Sequence, residues 1–145
     1  MIIRRIEPGD LDEFVELCAA HAAFEKCTQR PDVRRLRAAL FESPIRLHAW
    51  VAIDNNRLLG FASATVDFAT WSASEFVHLD CLFVREEHRG EGIGPALLNA
   101  VSDYARSRGI TEMQWQTPDW NADAQRFYER MNAKPSNKVR YTLSL

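Results

Sequence analysis

Residues 79–109 read LDCLFVREEHRGEGIGPALLNAVSDYARSRG, and this stretch decides the fold. It begins inside a β-rich run, residues 76–84, and ends in a strongly periodic helix that starts near Ile93 and stops at Gly109. Between them, residues 89–94 place three glycines at the start of the helix. Glycines let the backbone approach a ligand closely, and a helix start offers unpaired N–H groups and a positive dipole end. The stretch therefore predicts a strand, a phosphate-binding loop and a helix.

Two other phosphate-binding motifs can be compared with this loop. A P-loop requires Gly-Lys followed by Ser or Thr, and no Gly-Lys pair occurs in the chain. A dinucleotide fingerprint requires G-x-G-x-x-G, whereas Gly90, Gly92 and Gly94 are spaced by two, and no acidic residue ends a second parallel strand at the expected distance. A tight turn that merely needs glycine remains the alternative to a phosphate site.

Around this stretch, β-rich runs and helical periodicities follow one another. We expect strands at residues 2–6, 47–53, 58–66, 76–84, 111–117 and 139–143, and helices that begin near Asp10, Pro31, Ile93 and Asn121. Asp54-Asn55-Asn56 joins two of the strands as a tight hairpin, because these residues tolerate a positive φ. The pattern predicts an α/β (α+β) fold with a mixed, mainly antiparallel sheet of about six to seven strands, flanked by about four helices.

The strand at residues 76–84 carries several polar side chains. A regular strand alternates its side chains between the two faces of the sheet. This alternation places one set of side chains on a common face: Phe76, His78, Asp80, Leu82 and Val84.

Bulk composition excludes several classes of protein. The chain has 145 residues, 46% hydrophobic and 26% charged, and we expect residues 1–145 to form one globular domain. No apolar run is long enough to span a bilayer and no signal peptide is visible, so we expect a cytoplasmic protein without a membrane partner. Cys18, Cys27 and Cys81 lack the spacing of a disulfide framework or a zinc site, and no metal is expected. A net charge of −2 without a basic stripe argues against a nucleic-acid partner.

Two motifs, in this order, resemble those of the GCN5-related N-acetyltransferase (GNAT) superfamily. The first is Arg or Gln, two residues, Gly, any residue, then Gly or Ala; the second is Asn, then Ala, then an aromatic-Tyr pair. The chain meets them with Arg89, Gly92 and Gly94, and with Asn121, Ala124, Phe127 and Tyr128. Asn132 stands where the superfamily usually has Gly, and Asn can replace Gly in a left-handed cap.

Within the superfamily, residues 79–84, the glycine loop and Trp120-Asn121 look most like the spermidine/spermine and thialysine N-acetyltransferase branch. The resemblance implies a GNAT fold and a homodimer that acetylates small amines with acetyl-CoA. It assigns the backbone of Leu82 and Val84 to the pantetheine arm, the loop to the pyrophosphate and Asn121 to the thioester end. The expected cofactor-binding residues are Leu82, Phe83, Val84, Arg89, Gly90, Glu91, Gly92, Ile93, Gly94 and Asn121.

The same resemblance implies two catalytic residues. Tyr128 would protonate the departing CoA thiolate, although Phe127 and Tyr128 could instead simply pack their helix. Asp80 stands where the polyamine branch has a glutamate associated with deprotonation of the amine. Because Asp is shorter by one methylene, a bridging water is expected. His78 is a competing base, and the structural alternatives are an ion pair for Asp80 and a packed histidine for His78.

Substrate contacts are expected from the first two helices and from the loop before the long strand. His21 and Glu25 are four residues apart and share a helix face near Phe24. Carboxylates and aromatic walls suit a cationic amine. The expected substrate-binding residues are His21, Phe24, Glu25, Trp71 and His78, with a solvated helix face and a surface loop as the alternative.

Three functions remain open on these residues. The first is an N-acetyltransferase that acts on a primary amine of a polyamine, amino acid or amino sugar. The second keeps the chemistry but takes a protein or peptide N-terminus as acceptor. The third is a non-catalytic acetyl-CoA sensor, against which the presence of both Tyr128 and Asp80 argues.

Overall fold

A five-stranded sheet in the order β1-β2-β3-β4-β5 forms the centre of the molecule. The computed structural model describes all 145 residues. Neighbouring strands are antiparallel except β4 and β5, which are parallel and joined through α3. None of the helices combines the length and apolar character needed to cross a membrane. The strands are β1 (Ile2–Arg5), β2 (His48–Asp54), β3 (Arg57–Ala69), β4 (Ser74–Val84) and β5 (Met113–Gln114), and the helices are α1 (Leu11–Phe24), α2 (Val33–Phe41), α3 (Ile93–Ser107) and α4 (Ala122–Arg130).

Local sequence signals account for several turns and caps. Asn55 and Asn56 have φ angles of 48° and 60°, which confirms the predicted hairpin between β2 and β3. Asn132 has a φ of 67° just after α4, which confirms that it takes the left-handed position usually held by glycine. Asp32 caps α2, since its Oδ1 accepts a hydrogen bond from the Arg35 N–H at 3.0 Å.

Asp10 occupies the N-cap position of α1, where the sequence predicts a cap, but its side chain accepts no hydrogen bond from that helix. Its carboxylate accepts a hydrogen bond from the Glu7 N–H at 2.8 Å and one from the Arg4 guanidinium at 2.7 Å. These contacts close the short 3-10 turn Pro8–Asp10 that precedes the helix. The bond from Arg4 lowers the pKa of the Asp10 carboxyl, so the pair stays charged at neutral pH. A charge-assisted partner on β1 thus outcompetes the helix N–H groups.

The strand prediction overshoots at the end of the chain. The sheet has five strands rather than six to seven, and the run predicted as a strand at 111–117 is regular only at Met113–Gln114. The strand predicted at 139–143 is absent, because residues 132–145 belong to no helix or strand. The alternation that suggested this last strand is real, but a strand needs an edge to pair with, and these residues pair with none of the five strands.

Each face of the sheet carries one apolar cluster. α3 covers one face and α1 covers the other, so the sheet is buried between helices. The α3 side includes Val77, Leu79, Ile93, Leu97 and Val101, and the α1 side includes Leu11, Phe14, Leu17, Phe61 and Phe83. Burial of these side chains is the main force that holds β4 and α3 in place.

A β-bulge interrupts β4 at Asp80. Ser63 of β3 pairs with Cys81, and the next residue, Ala64, pairs with Leu79, so Asp80 has no partner across the ladder. One extra residue on a strand shifts the alternation of side chains by one position. The odd-numbered side chains of β4 therefore face α3 before the bulge and α1 after it.

The predicted common face of β4 is wrong in its second half for this reason. Leu82 and Val84 pack with the cluster under α3, whereas Cys81 and Phe83 pack with the cluster under α1. Asp80 lies on the α1 side, close enough to Cys18 for its charge to act on that thiol. The alternation of residues along the sequence cannot reveal that the side chains change faces, because the bulge arises from the way β4 pairs with β3.

β4 and β5 separate immediately after they pair. Their ladder consists of Val77 with Met113 and His78 with Gln114, and no strand covers this edge of β4 beyond His78. The Arg85 N–H donates to Leu59 O on β3, so alternation directs the backbone groups of Leu82 and Val84 toward the open edge. The splay thus exposes a short row of unpaired backbone groups in the middle of the sheet.

Gly60 marks the tightest contact between β3 and β4. A Cβ at this position would lie 2.6 Å from the Phe83 carbonyl oxygen, a backbone atom that cannot move without shifting β4. We expect Gly60→Ala to destabilise the protein by about 1–3 kcal/mol through overpacking. Gly9→Ala is the matched control, since a Cβ there meets nothing within 4 Å. Thermal unfolding followed by circular dichroism should show a lower Tm for the first variant, and equal Tm values would contradict the analysis.

Candidate active site

The glycine loop presents a row of free backbone donors. Gly90 and Gly92 have φ angles of 81° and 82°, in the left-handed region that glycine adopts without strain. The loop and helix hydrogen bonds include none donated by the N–H groups of residues 90–94. α3 begins at Ile93, so these donors sit at its N-terminal end. Free N–H groups at a helix start are suited to bind an anion, and the phosphate site expected in this loop stays a prediction.

The side chains of the loop have their own roles. Ile93 is buried in the core under α3, so only its backbone can meet a ligand. A Cβ on Gly94 would lie 3.4 Å from Phe127, and α4 can therefore pack closely on the start of α3. Glu91 pairs with His88 at 3.2 Å. The glycine run thus serves both helix packing and access to the backbone.

Arg89 lies across the open edge of β4. Its Nε donates a hydrogen bond to the Val84 carbonyl oxygen at 3.0 Å. Its guanidinium lies 4.8 Å from the centre of the Phe24 ring and 5.6 Å from that of Phe83. The guanidinium therefore sits between the loop and the aromatic wall, where it adds positive charge beside the free N–H groups.

α1 contributes a histidine, a carboxylate and an aromatic ring. His21 stacks on Phe83 with ring centroids 5.3 Å apart, and its Nε2 lies 2.6 Å from a Glu25 carboxylate oxygen. Phe24 is partly exposed and contacts the Trp120 ring at 6.1 Å. The predicted pairing of His21 and Glu25 on one helix face is thus present in the structure.

The bulge brings Asp80 and Cys81 to the same side of the sheet as α1. The Cys81 Sγ lies 3.8 Å from an Asp80 oxygen, the one side-chain hydrogen bond that this carboxylate receives. Burial and the Asp80 charge raise the pKa of the Cys81 thiol to about 12, and the same two causes raise the pKa of Cys18 to about 12. Asp80 is exposed, so its oxygens remain accessible to water.

Tyr128 faces this acidic cluster from α4. Burial raises the pKa of its phenol to about 12, and the charge of Glu25 and the nearby Cys81 act in the same direction. The ring packs against Trp115, with centroids 5.2 Å apart. The hydroxyl makes no hydrogen bond to the protein, although every fully buried polar side-chain atom is satisfied. It is therefore a protonated donor that reaches accessible space.

Asn121 and Trp71, two further predicted site residues, lie in different parts of the molecule. Asn121 is the N-cap of α4, where its Oδ1 accepts from the Ala124 N–H at 3.2 Å; its amide nitrogen remains available as a donor. Trp71 is fully exposed at the tip of the β3–β4 hairpin, before β4 begins at Ser74. The six positions from Ser74 to Asp80 alone span about 20 Å along the strand. The structure does not bring Trp71 to the other residues.

His78 stands at the end of the β4–β5 ladder, opposite Thr65 and Gln114. It lies before the bulge and on the face opposite Val77 and Leu79, hence on the same side as Asp80. Neither a hydrogen bond nor an ion pair joins its side chain to the residues around Tyr128. The structure therefore gathers Asp80, Glu25, His21 and Tyr128, with His78 at the margin.

Comparison with known proteins identifies the family to which this arrangement belongs. Residues 14–133 match the model of the acetyltransferase (GNAT) family. The chain belongs to this family. A D-amino-acid N-acetyltransferase of Saccharomyces cerevisiae is 28% identical over 144 residues, covering 97% of this chain and 89% of the relative. A thialysine N-epsilon-acetyltransferase of Bos taurus is 24% identical over 144 residues, covering 92% and 84%.

A solved structure shows the same fold. An aminoglycoside acetyltransferase from an uncultured soil metagenomic sample superposes with a TM-score of 0.85 at 22% identity, covering 99% of this chain and 95% of that one. The predicted GNAT fold is confirmed, and the protein is an acetyl-transferring enzyme. Members of the GNAT family use acetyl-CoA as co-substrate.

The residues present fit this co-substrate. The free N–H groups of residues 90–94 suit a pyrophosphate, and the open edge at Leu82 and Val84 suits an extended chain of amides. Arg89 already donates one hydrogen bond to the Val84 carbonyl oxygen, so an incoming amide N–H would share this acceptor with the guanidinium or displace it. A displaced guanidinium would remain next to the glycine loop.

Sequence reasoning missed the thiols of the GNAT site. Cys18 comes from α1 and Cys81 from β4, and neither belongs to a recognisable spacing. Their closeness to Asp80 arises from the bulge and from the packing of α1. The only local signal is that Cys81 directly follows Asp80.

The raised thiol pKa values predict selective chemical modification. At pH 8 a thiol of pKa about 12 is a thiolate roughly a thousand times less often than an unperturbed cysteine, and the thiolate is the nucleophile. Iodoacetamide should therefore label the exposed Cys27 first and leave Cys18 and Cys81 largely unmodified. Peptide mass spectrometry measures the three rates, with guanidinium-unfolded protein as control. Rapid labelling of Cys81 in the folded protein would contradict the assignment.

Proposed function

We propose that the protein transfers the acetyl group of acetyl-CoA to a primary amine of a small molecule of the polyamine, amino acid or amino-sugar type, by direct attack of the amine. The observation that carries this proposal is the gathering of Tyr128, Glu25 and Asp80 around Cys81, beside the open edge of β4. Carboxylates attract a cationic amine, and the phenol can serve the departing sulfur. The relatives named above act on D-amino acids and thialysine, which are small amines.

The amine must lose a proton before it attacks, because an ammonium ion has no lone pair. Asp80 is the better base, since its exposed carboxylate receives only a weak bond from a thiol. Glu25 shares an oxygen with His21 at 2.6 Å and is better suited to hold the cation. The proton passes to Asp80 directly or through water, the amine nitrogen bonds to the acetyl carbon, and the carbon–sulfur bond breaks.

Tyr128 then donates a hydrogen bond to the leaving sulfur. Its pKa of about 12 keeps the phenol protonated at neutral pH, so it is always a donor. An ordinary thiol has a pKa of about 8.5, so complete transfer of the phenol proton to a thiolate is uphill. The main contribution of Tyr128 is therefore a hydrogen bond that strengthens as negative charge develops on the sulfur. Any proton it passes on is regained from the proton that the amine has released.

The mouth of the site favours a small acceptor over a peptide. Phe24 and Trp120 are in contact across it, and the Lys26 ammonium lies 4.4 Å from the centre of the Trp120 ring. These contacts join α1 and the loop after it to the start of α4, which narrows the entrance between them. An extended peptide needs a wider groove.

Release of free CoA from acetyl-CoA tests the function directly. The purified protein is screened against polyamines, lysine analogues, D- and L-amino acids, amino-sugar antibiotics and short peptides. The thiol of the released CoA is measured. We expect turnover on at least one small amine. Turnover on peptides alone would replace the proposal with a protein N-acetyltransferase, and binding without any turnover would replace it with an acetyl-CoA sensor.

Replacement of Tyr128 by Phe separates catalysis from binding. We expect Tyr128→Phe to lower kcat by about tenfold to a thousandfold with an unchanged acetyl-CoA Kd, because the lost hydrogen bond matters only in the transition state. Steady-state kinetics and calorimetry measure the two quantities. Phe127→Leu is a control, since Phe127 packs on Gly94 rather than facing the carboxylates. A normal kcat in Tyr128→Phe would remove the phenol from the mechanism.

The two carboxylates are expected to respond differently. Asp80→Asn should lower kcat about a hundredfold or more, because the base is lost. Glu25→Gln should mainly raise the KM for the amine, because a cation contact is lost. The isosteric amides keep the packing in both cases. If Glu25→Gln lowers kcat more than Asp80→Asn does, and Asp80→Asn mainly raises KM, the two roles must be exchanged.

The remaining features of the proposed enzyme rest on the sequence. We propose that residues 1–145 act as one GNAT domain in the cytoplasm, as a homodimer, without a metal and without a nucleic-acid or membrane partner.

A further inference from the structure

Lys26 takes a backbone conformation that is rare for lysine. The Cys27 N–H donates to Ala22 O at 2.8 Å and the Lys26 N–H to Ala23 O at 3.0 Å, so a Schellman turn closes α1. The turn gives Lys26 a φ of 63°, a left-handed conformation that glycine adopts without strain. Other residues persist in this conformation where the structure requires them, and they cluster at ligand sites and active sites. The turn therefore points to a role for the lysine side chain.

The side chain of Lys26 lies at the mouth of the site. Its ammonium is 4.4 Å from the centre of the Trp120 ring, and Trp120 directly precedes Asn121, the residue expected near the thioester. In the chain, Lys26 directly follows Glu25, whose charge contributes to the raised pKa of the Tyr128 phenol. The elements on both sides of the Lys26 amine therefore carry residues of the proposed acetyl-transfer site.

No ion pair holds the Lys26 ammonium in place. The adjacent carboxylate, Glu25, is engaged by His21 at 2.6 Å, and none of the ion pairs of the protein involves Lys26. Lys26 is exposed, its stem is flexible, and an exposed cation–π contact is weak, so the amine can leave the Trp120 ring. A primary amine is also the kind of group that the proposed enzyme acetylates. Lys26 is thus available as an acceptor at its own site.

We propose that the enzyme acetylates its own Lys26 from acetyl-CoA, an inference that rests on the acetyl-transfer function proposed above. The Lys26 ammonium gives one proton to water or to Asp80, and its nitrogen attacks the acetyl carbon as the carbon–sulfur bond breaks. The nitrogen then loses a second proton, and the departing thiolate takes one up. The products are Nε-acetyl-lysine, CoA with a free thiol and one proton.

Acetylation of Lys26 changes the mouth of the site. It removes the positive charge and with it the cation–π contact with Trp120. The contact between Phe24 and Trp120 does not depend on this charge, so the aromatic part of the mouth remains. A cationic amine that approaches Glu25 then meets one positive charge fewer. The modification therefore acts on the entry of the acceptor rather than on the groups that transfer the acetyl group.

Site-resolved mass spectrometry tests the modification. The purified chain is first treated with a lysine deacetylase and is then incubated with acetyl-CoA without an added amine. The chain has three lysines, and the two others, Lys134 and Lys138, follow α4 and are exposed, so they report the uncatalysed reaction. We expect Lys26 to be acetylated at least about tenfold faster than these two, because an amine held at the site reacts at a high effective concentration. Equal rates at all three lysines overturn the proposal.

Two kinetic properties show whether the transfer is enzymatic and within one chain. The rate at Lys26 should level off at high acetyl-CoA concentration, because the reaction starts from the bound complex, whereas the rates at Lys134 and Lys138 should rise in proportion to it. The rate constant at Lys26 should not change when the protein concentration is raised about tenfold, because no second chain takes part. A linear dependence on acetyl-CoA, or a rate constant that rises with protein concentration, overturns the proposal.

CoA release with added small amines, measured on the same preparation, separates this proposal from the function on which it rests. Turnover of an added amine while Lys26 stays unmodified overturns self-acetylation alone, and absence of both reactions overturns the proposed function as well. Lys26→Arg is the matched variant, since it keeps a cation for Trp120 but offers no lysine amine. Its intact mass should not rise at the rate of the wild type. An unchanged mass gain in Lys26→Arg places the acetyl group elsewhere and overturns the proposal.

Discussion

The separation of β4 from β5 just after His78 is the constraint on which the rest of the structure depends. The two strands share only two pairs, Val77 with Met113 and His78 with Gln114. Packing of α3 against β4 holds the unpaired part of β4 in place, because the helix and the strand share one buried cluster. An unpaired strand edge inside a sheet normally carries an energetic cost, since its N–H and C=O groups lack partners. Here the same groups are the ones that an amide-containing ligand can bind.

The bulge at Asp80 places a carboxylate and a thiol on the same side of the sheet, next to that edge. In a regular strand, Asp80 and Cys81 would point to opposite sides of the sheet, whereas the unpaired residue lets both lie on the side of α1. Asp80 then lies with Glu25 and Tyr128 around Cys81. Burial raises the pKa of the phenol and of the thiols and keeps them protonated, and the neighbouring negative charges act in the same direction. Such an environment suits a reaction that starts from a cation and ends with a leaving thiolate.

Trp115, the residue directly after β5, forms the wall behind Tyr128, with ring centroids 5.2 Å apart. The same residue lines a groove of about 630 Å³ between β5 and the C-terminal half of α3. The course of the chain after β5 therefore positions the ring that supports the phenol.

The sequence by itself determined the elements whose signals are local. The helix from Ile93, the hairpin at Asn55-Asn56 and the left-handed turn at Asn132 follow from periodicity and from residues that tolerate positive φ. The glycine loop and the two motifs led to the family, because glycine requirements and helix starts are visible along the chain. Only the tertiary structure decided which faces the side chains of β4 take, the partner of the Asp10 carboxylate and the absence of a strand at residues 139–143. Each of these depends on pairing between separate elements: Ser63 of β3 with Cys81, Arg4 of β1 with Asp10, and a strand edge with which residues 139–143 do not pair.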